Sequence, residues 1–101
     1  MDITVVQTDA FAAWHVALKD LKARIAIARR IDQAAHGNLG DCVPVGAGVL
    51  EMRIHVGAGY RVYFTRRGGE LVVLLCGGDK GSQSRDIQKA QKLAVDLKSV
   101  R

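Results

Sequence analysis

Between residues 9 and 36 the apolar side chains Phe11, Trp14, Leu18, Leu21, Ile25 and Ala28 recur at steps of three and four. That spacing stacks them on one face of a helix. Lys19, Asp20, Lys22, Arg29 and Arg30 fall largely off the stripe; Arg29 and Arg30 read as a solvated face or, alternatively, as part of a partner-binding groove. Thr8 stands before the run as an N-cap, with Asp9 in the first turn, where a carboxylate meets the positive end of the helix dipole. One helix over this stretch would be about 40 Å long, more than a small domain covers, so a break near residues 19–22 and an antiparallel helical hairpin are expected. His36, Gly37 and Asn38, followed by Gly40, form the stop, with Gly37 free to take a positive φ.

After Asp41 the period changes to two. Cys42, Val43, Pro44 and Val45 are β-prone, and residues 46–48 make a loop. Over residues 49–56, Leu50, Met52, Ile54 and Val56 alternate with Glu51, Arg53 and His55. A glycine turn at 57–59 leads to a strand over 60–65, with Tyr60, Val62 and Phe64 on one side and Arg61, Tyr63 and Thr65 on the other. Residues 66–69 read as a hairpin loop, and residues 71–76 are apolar on both faces, as suits a central strand covered on each side. A final helix follows residues 77–81. Ser82 or Ser84 is its expected cap and Asp86 suits its first turn. Ile87, Ala90, Ala94 and Leu97 should face the sheet, while Arg85, Lys89, Lys92 and Lys98 face outward. The fold class predicted is α+β: an N-terminal helical hairpin packed on a small antiparallel sheet with a C-terminal helix.

Composition narrows this picture. With 101 residues, 49% hydrophobic and 25% charged, the chain is expected to form a single domain over residues 1–101. No apolar run is long enough for a membrane span, and residues 1–9 lack the base and apolar stretch of a secretory signal. Fifteen Lys and Arg against ten Asp and Glu give a net charge of +5, which favours a polyanion or an acidic protein partner. Cys42 and Cys76 are far apart in sequence and form no metal motif, so they read as buried thiols of a reducing compartment and point to the cytoplasm. His15 and His36 lie away from both cysteines; neither a metal nor a cofactor is expected.

The candidate chemistry lies on the sheet. Residues two apart on a strand project on the same side, so Glu51, Arg53 and His55 form one row and Arg61, Tyr63 and Thr65 another. Paired through the 57–59 turn, the rows would converge on one phosphate. The alternative is a solvated face with cross-strand ion pairs such as Glu51 with Arg61. If the arginines hold a phosphate, truncation of Arg61, on the polar face opposite Tyr60, Val62 and Phe64, is expected to leave the fold intact and open no cavity. Lys80, in a glycine-rich turn before a helix, is a further candidate phosphate ligand; the spacing of a phosphate-binding loop is absent, and the segment reads equally as an ordinary glycine turn.

Taken in order, Glu51-Met52-Arg53-Ile54, then residues 59–64 (GYRVYF), then residues 74–80 (LLCGGDK) with Ser82, Gln83, Asp86 and Ile87, resemble the RelE/ParE toxin superfamily. The branch most resembled is the HigB-like, or phage Gp49-like, addiction-module toxins. The resemblance implies a cytoplasmic toxin neutralised by a helix-turn-helix antitoxin from an adjacent gene. It further implies metal-independent cleavage of mRNA on the ribosome or, as in ParE-like members, poisoning of DNA gyrase without catalysis. By the same resemblance Arg53 and Arg61 match the basic catalytic groups and Lys80 is a looser match. The C-terminal histidine or tyrosine of several relatives has no counterpart after Tyr63, leaving His55, Glu51 or Tyr63 for proton transfer.

Overall fold

The computed structural model describes residues 2–100, with side chains to residue 97; Lys98, expected on the outer face of the last helix, lies outside the described side chains. The chain runs β1 (Thr4–Gln7), α1 (Asp9–Ala17), α2 (Leu21–Ala35), β2 (Cys42–Gly46), β3 (Val49–Ile54), β4 (Tyr60–Arg67), β5 (Leu71–Gly78), a 3₁₀ turn (Lys80–Ser82) and α3 (Gln83–Val100). The predicted α+β class holds, with one addition: the sheet is mixed. Its order is β1-β5-β4-β3-β2, and β1 pairs parallel with β5 while the other pairs are antiparallel. Four residues at the N-terminus carry too short a pattern to be read as a strand.

The helix signals act as expected. Thr8 Oγ1 accepts from the Phe11 amide at 3.1 Å and donates to the Leu75 carbonyl at 2.7 Å, so the same cap starts α1 and ties it to β5. The break falls at residues 18–20, where Asp20 caps α2 by accepting from the Ala23 amide at 3.1 Å. Gly37 follows the C-cap of α2 with φ +96°. The break resets the helical phase, and this corrects the single stripe. Phe11 is buried and Trp14 and Leu18 half-buried, but α2 turns Ala23, Ile27 and Ala34 inward and leaves Leu21, Ile25 and Ala28 exposed. Arg30 is likewise not a solvated group. It donates to the carbonyls of Arg53, Leu39 (3.1 Å) and Asp41 (3.2 Å), fastening α2 to the loop before β2.

The sheet is covered on both faces. Phe11, Ile27, Ala34, Met52, Ile54, Val62, Phe64, Val72 and Leu74 build the core beneath α1 and α2. Val49, Tyr63, Val73, Leu75 and Cys76 meet Ala90 and Ala94 of α3 on the other side. Cys76 is buried, whereas Cys42, expected to be buried, is half-buried on edge strand β2 beside Pro44. The polar row of β3 and β4 is therefore not an open face. Glu51, Tyr63 and Thr65 are buried because α3 crosses them. The expected caps of α3 are also displaced: Asp79 caps the 3₁₀ turn, and Ser82 completes a capping box with it.

An irregularity in β5 aims the end of that strand. Tyr63 pairs with Cys76 but Phe64 with Leu74, so Leu75 is extra, and Leu75 and Cys76 both face α3. Gly77 is thereby laid under the Trp14 ring and Gly78 under Asp86, where a Cβ on either would overlap the side chain above it. Gly77→Ala should cost about 1–3 kcal/mol through overpacking, with each kcal/mol lowering Tm by roughly 4–8 °C. Gly69→Ala, with nothing near its Cβ, should stay within about 0.5 kcal/mol of the parent. Thermal unfolding of the two variants checks this; equal Tm values would refute the close approach of Trp14.

Candidate functional site

The site grows from one buried carboxylate. Glu51 sits in mid β3 with its side chain 1% exposed, opposite Tyr63 of β4. Its Oε2 accepts from Tyr63 Oη at 3.0 Å and from Gln83 Nε2 of α3 at 2.8 Å, and its Oε1 accepts from Arg53 Nε at 3.3 Å. Arg61 Nε forms an ion pair with Oε2 at 3.5 Å. Burial pushes the Glu51 carboxyl up, but the hydrogen bonds from Gln83, Tyr63 and Arg53, together with the charge of Arg61, outweigh it and hold the group below its ordinary value. The Tyr63 phenol is shifted the other way, above its ordinary value, chiefly by burial and then by its bond to Glu51. Glu51 is thus an ionised acceptor with its oxygens engaged, and Tyr63 a hydroxyl that keeps its proton.

Beside this network lies a cleft of about 220 Å³ lined by Arg53, Ile54, His55, Gly59, Tyr60, Arg61 and Lys80. Four of the six sequence-predicted residues, Arg53, His55, Arg61 and Lys80, meet there. Glu51 and Tyr63 do not line it; they lie under the two arginines. Arg53 and Arg61 are direct cross-strand partners. Arg61, only 13% exposed, also donates from Nη1 to the Gly59 carbonyl at 3.1 Å. Gly59, at φ +77°, brings the turn against Lys80, whose aliphatic stem lies across it. His55 is open to solvent, and its Nε2 donates to Asp41 Oδ2 at 2.7 Å. That bond is the leading cause holding the Asp41 carboxyl below its ordinary value.

Three participants were not legible as such. Asp41 sits in a loop whose approach to β3 depends on Arg30 and on the Arg53 amide, which donates to the Asp41 carbonyl at 3.0 Å. Gln83 reads as an ordinary first-turn residue of α3. Tyr60 falls on the apolar side of the strand pattern, yet it lines the cleft at the strand end, with its hydroxyl 3.4 Å from Asp20 Oδ2 and its ring near Trp14. Among the described residues no group of three or more His, Cys, Asp and Glu gathers in a metal-holding arrangement. No helix among the described residues is long and apolar enough to cross a membrane.

A helical pair and a C-terminal helix thus cover opposite faces of a mixed sheet, with a cationic cleft at the strand ends. A family profile described as "Phage derived protein Gp49-like (DUF891)" matches residues 17–97. The chain belongs to this family, which is the HigB-like group of RelE/ParE toxins. It is also 45% identical over 97 residues to an uncharacterized protein of Haemophilus influenzae, covering 96% of this chain and 98% of that one.

The Glu51 network makes a prediction for pH. A carboxyl depressed on folding stabilises the fold fully above its ordinary value of 4.5, and that contribution is lost as pH falls through the lower folded value. Glu51→Gln should therefore be less stable than the parent at neutral pH, by about 1.5–3 kcal/mol, the worth of hydrogen bonds to a charged group. The gap should narrow in acid, below pH 4.5. Urea unfolding of both proteins across that range measures it, and a gap independent of pH would remove the carboxylate's ionisation from the account.

Proposed function

We propose that this chain is the toxin of a type II toxin-antitoxin pair and cleaves mRNA on the ribosome without a metal, its partner being a helix-turn-helix antitoxin encoded by an adjacent gene. The observation that carries the reading is the convergence of Arg53, Arg61 and Lys80 with His55 on one cleft. In such a cleavage the 2′-oxygen attacks the neighbouring phosphorus and loses its proton. The P–O5′ bond breaks and the 5′-oxygen gains a proton, leaving a 2′,3′-cyclic phosphate and a 5′-hydroxyl. The charge that builds on the phosphorane is what three cations are suited to hold. The guanidinium groups donate in pairs to phosphate oxygens, and the lysine adds a point charge.

His55, held by Asp41, is assigned the proton transfer, because it is the titratable group of the cleft that is both exposed and oriented. Glu51 and Tyr63 are assigned to positioning: their polar atoms are committed to each other and to the arginines. This changes what an Arg61 variant reports. The sequence led us to expect a truncation without structural cost, but Arg61 is nearly buried against the Glu51 carboxylate, and removing one member of a buried pair destabilises. Exposed Lys80 and His55 are the cleaner probes.

His55→Gln should slow cleavage by about 10²–10⁴, and Lys80→Ala by about 10²–10³. Arg85→Ala, on the outer face of α3, should cleave like the parent, and all three should unfold at the parental temperature. The assay is inducible expression followed by mapping of cuts within translated codons, with chelator added to the purified reaction leaving the rate unchanged. Intact transcripts accompanied by a DNA-damage response would move the assignment to gyrase poisoning.

A further inference from the structure

Helix α2 is apolar on two opposite sides. Ala23, Ile27 and Ala34 are buried against the sheet, while Leu21, Ile25 and Ala28 form a ridge on the far side. Leu21 is 62% and Ile25 47% exposed, and Val16, at the end of α1, is 69% exposed. A soluble helix ordinarily presents polar residues on the face away from its core, so a second stripe at i, i+4 and i+7 calls for an occupant. The ridge borders an open groove of about 240 Å³ lined by His15, Leu21, Arg24, Ile25 and Ala28. His15 Nε2 donates to the Arg24 carbonyl at 3.1 Å, which ties the end of α1 to α2 and fixes one wall of the groove. The groove shares no residue with the cationic cleft.

The rim chooses the occupant. Lys19, Lys22 and Arg29 are exposed around the ridge and Arg24 is half-exposed on its other flank. The one acid between residues 18 and 30, Asp20, is engaged as the cap of α2. A nucleic acid would answer the cations but not three aliphatic side chains. A second copy of this chain, in a two-fold contact, would set these cations against their own kind.

We propose that the outer face of α2, with the end of α1, is the docking surface for an acidic amphipathic helix of a protein partner. Apolar anchors three and four residues apart would lie along Leu21, Ile25 and Val16, and flanking carboxylates would meet Lys19, Lys22, Arg24 and Arg29. The inference rests on the toxin-antitoxin reading for the identity of that partner. It adds the surface, and with it a mode of neutralisation that leaves the cleft uncovered at the point of docking.

The test co-expresses the full chain with the product of the adjacent gene, following rescue of growth and binding of the purified proteins. Leu21→Glu/Ile25→Glu should keep the parental Tm and toxicity, bind the partner at least about tenfold more weakly and escape rescue. Lys22→Glu/Arg29→Glu should weaken binding and flatten its salt dependence. If both variants are rescued and bound like the parent, the docking surface is wrong and the toxin-antitoxin reading stands. If the adjacent product neither binds nor rescues the parent chain, that reading fails and the docking proposal with it. A parent chain that sediments as a dimer, dissolved by Leu21→Glu/Ile25→Glu, would make the occupant a second copy and overturn the acidic helix.

Discussion

A carboxylate taken out of water between a sheet and a helix must be fully answered by donors, and Glu51 sets that condition for this fold. Its partners come from three elements: Arg53 from its own strand, Tyr63 and Arg61 from β4, and Gln83 from α3. A one-residue slip of β3 against β4 would turn Glu51 toward Phe11 and Ile27 and leave its charge without a partner. A displaced α3 would withdraw Gln83. The network therefore fixes strand register and helix position together, and it holds the Nε side of both arginines toward Glu51 while both residues line the cleft.

Legibility followed how local each signal was. The caps Thr8 and Asp20, the stop at Gly37 and the alternation in β3 and β4 act within a few residues of themselves and could be read directly. The face of α2 could not, because a three-residue interruption breaks helical phase and only the buried side reveals the new one. The sheet-facing residues of α3 were readable as Ala90 and Ala94, yet the length of strand they cover was not. Glu51 and Tyr63 consequently looked exposed when they are buried. A buried polar pair has no signature in alternation, since the period of two records that a residue shares a side and says nothing of what lies over that side.

The end of β5 shows how the two cores are brought to one place. The extra residue at Leu75 rotates the strand so that Gly77 meets Trp14 from the α1 side and Gly78 meets Asp86 from the α3 side. Ser82 Oγ donates to Asp86 and takes part in the capping box of the 3₁₀ turn. Trp14 in turn packs near Tyr60, whose hydroxyl reaches Asp20 between the two helices. Lys80 is thus presented to the cleft by a short chain of close contacts, a firmer mounting than a free glycine loop would give.

Within the cleft, Arg53 and Arg61 face each other across the ladder, an arrangement that costs stability when nothing negative intervenes. Glu51 answers part of that charge from below, Asp41 is engaged by His55, and Asp20 and Asp79 are engaged as the caps of α2 and of the 3₁₀ turn. With Lys80 added, the cleft lining carries three cations and no carboxylate, so an entering anion relieves repulsion as well as gaining attraction. Under the reading proposed above the gain is uneven along the reaction. A phosphodiester enters with one negative charge and a phosphorane carries two, so the same three cations hold the second more strongly than the first. Interactions that strengthen toward the transition state accelerate chemistry, whereas those equal in both states only bind. A cleft lined by cations, with its carboxylates held outside the lining, therefore exchanges some stability of the protein for a preference that grows with the charge of its guest.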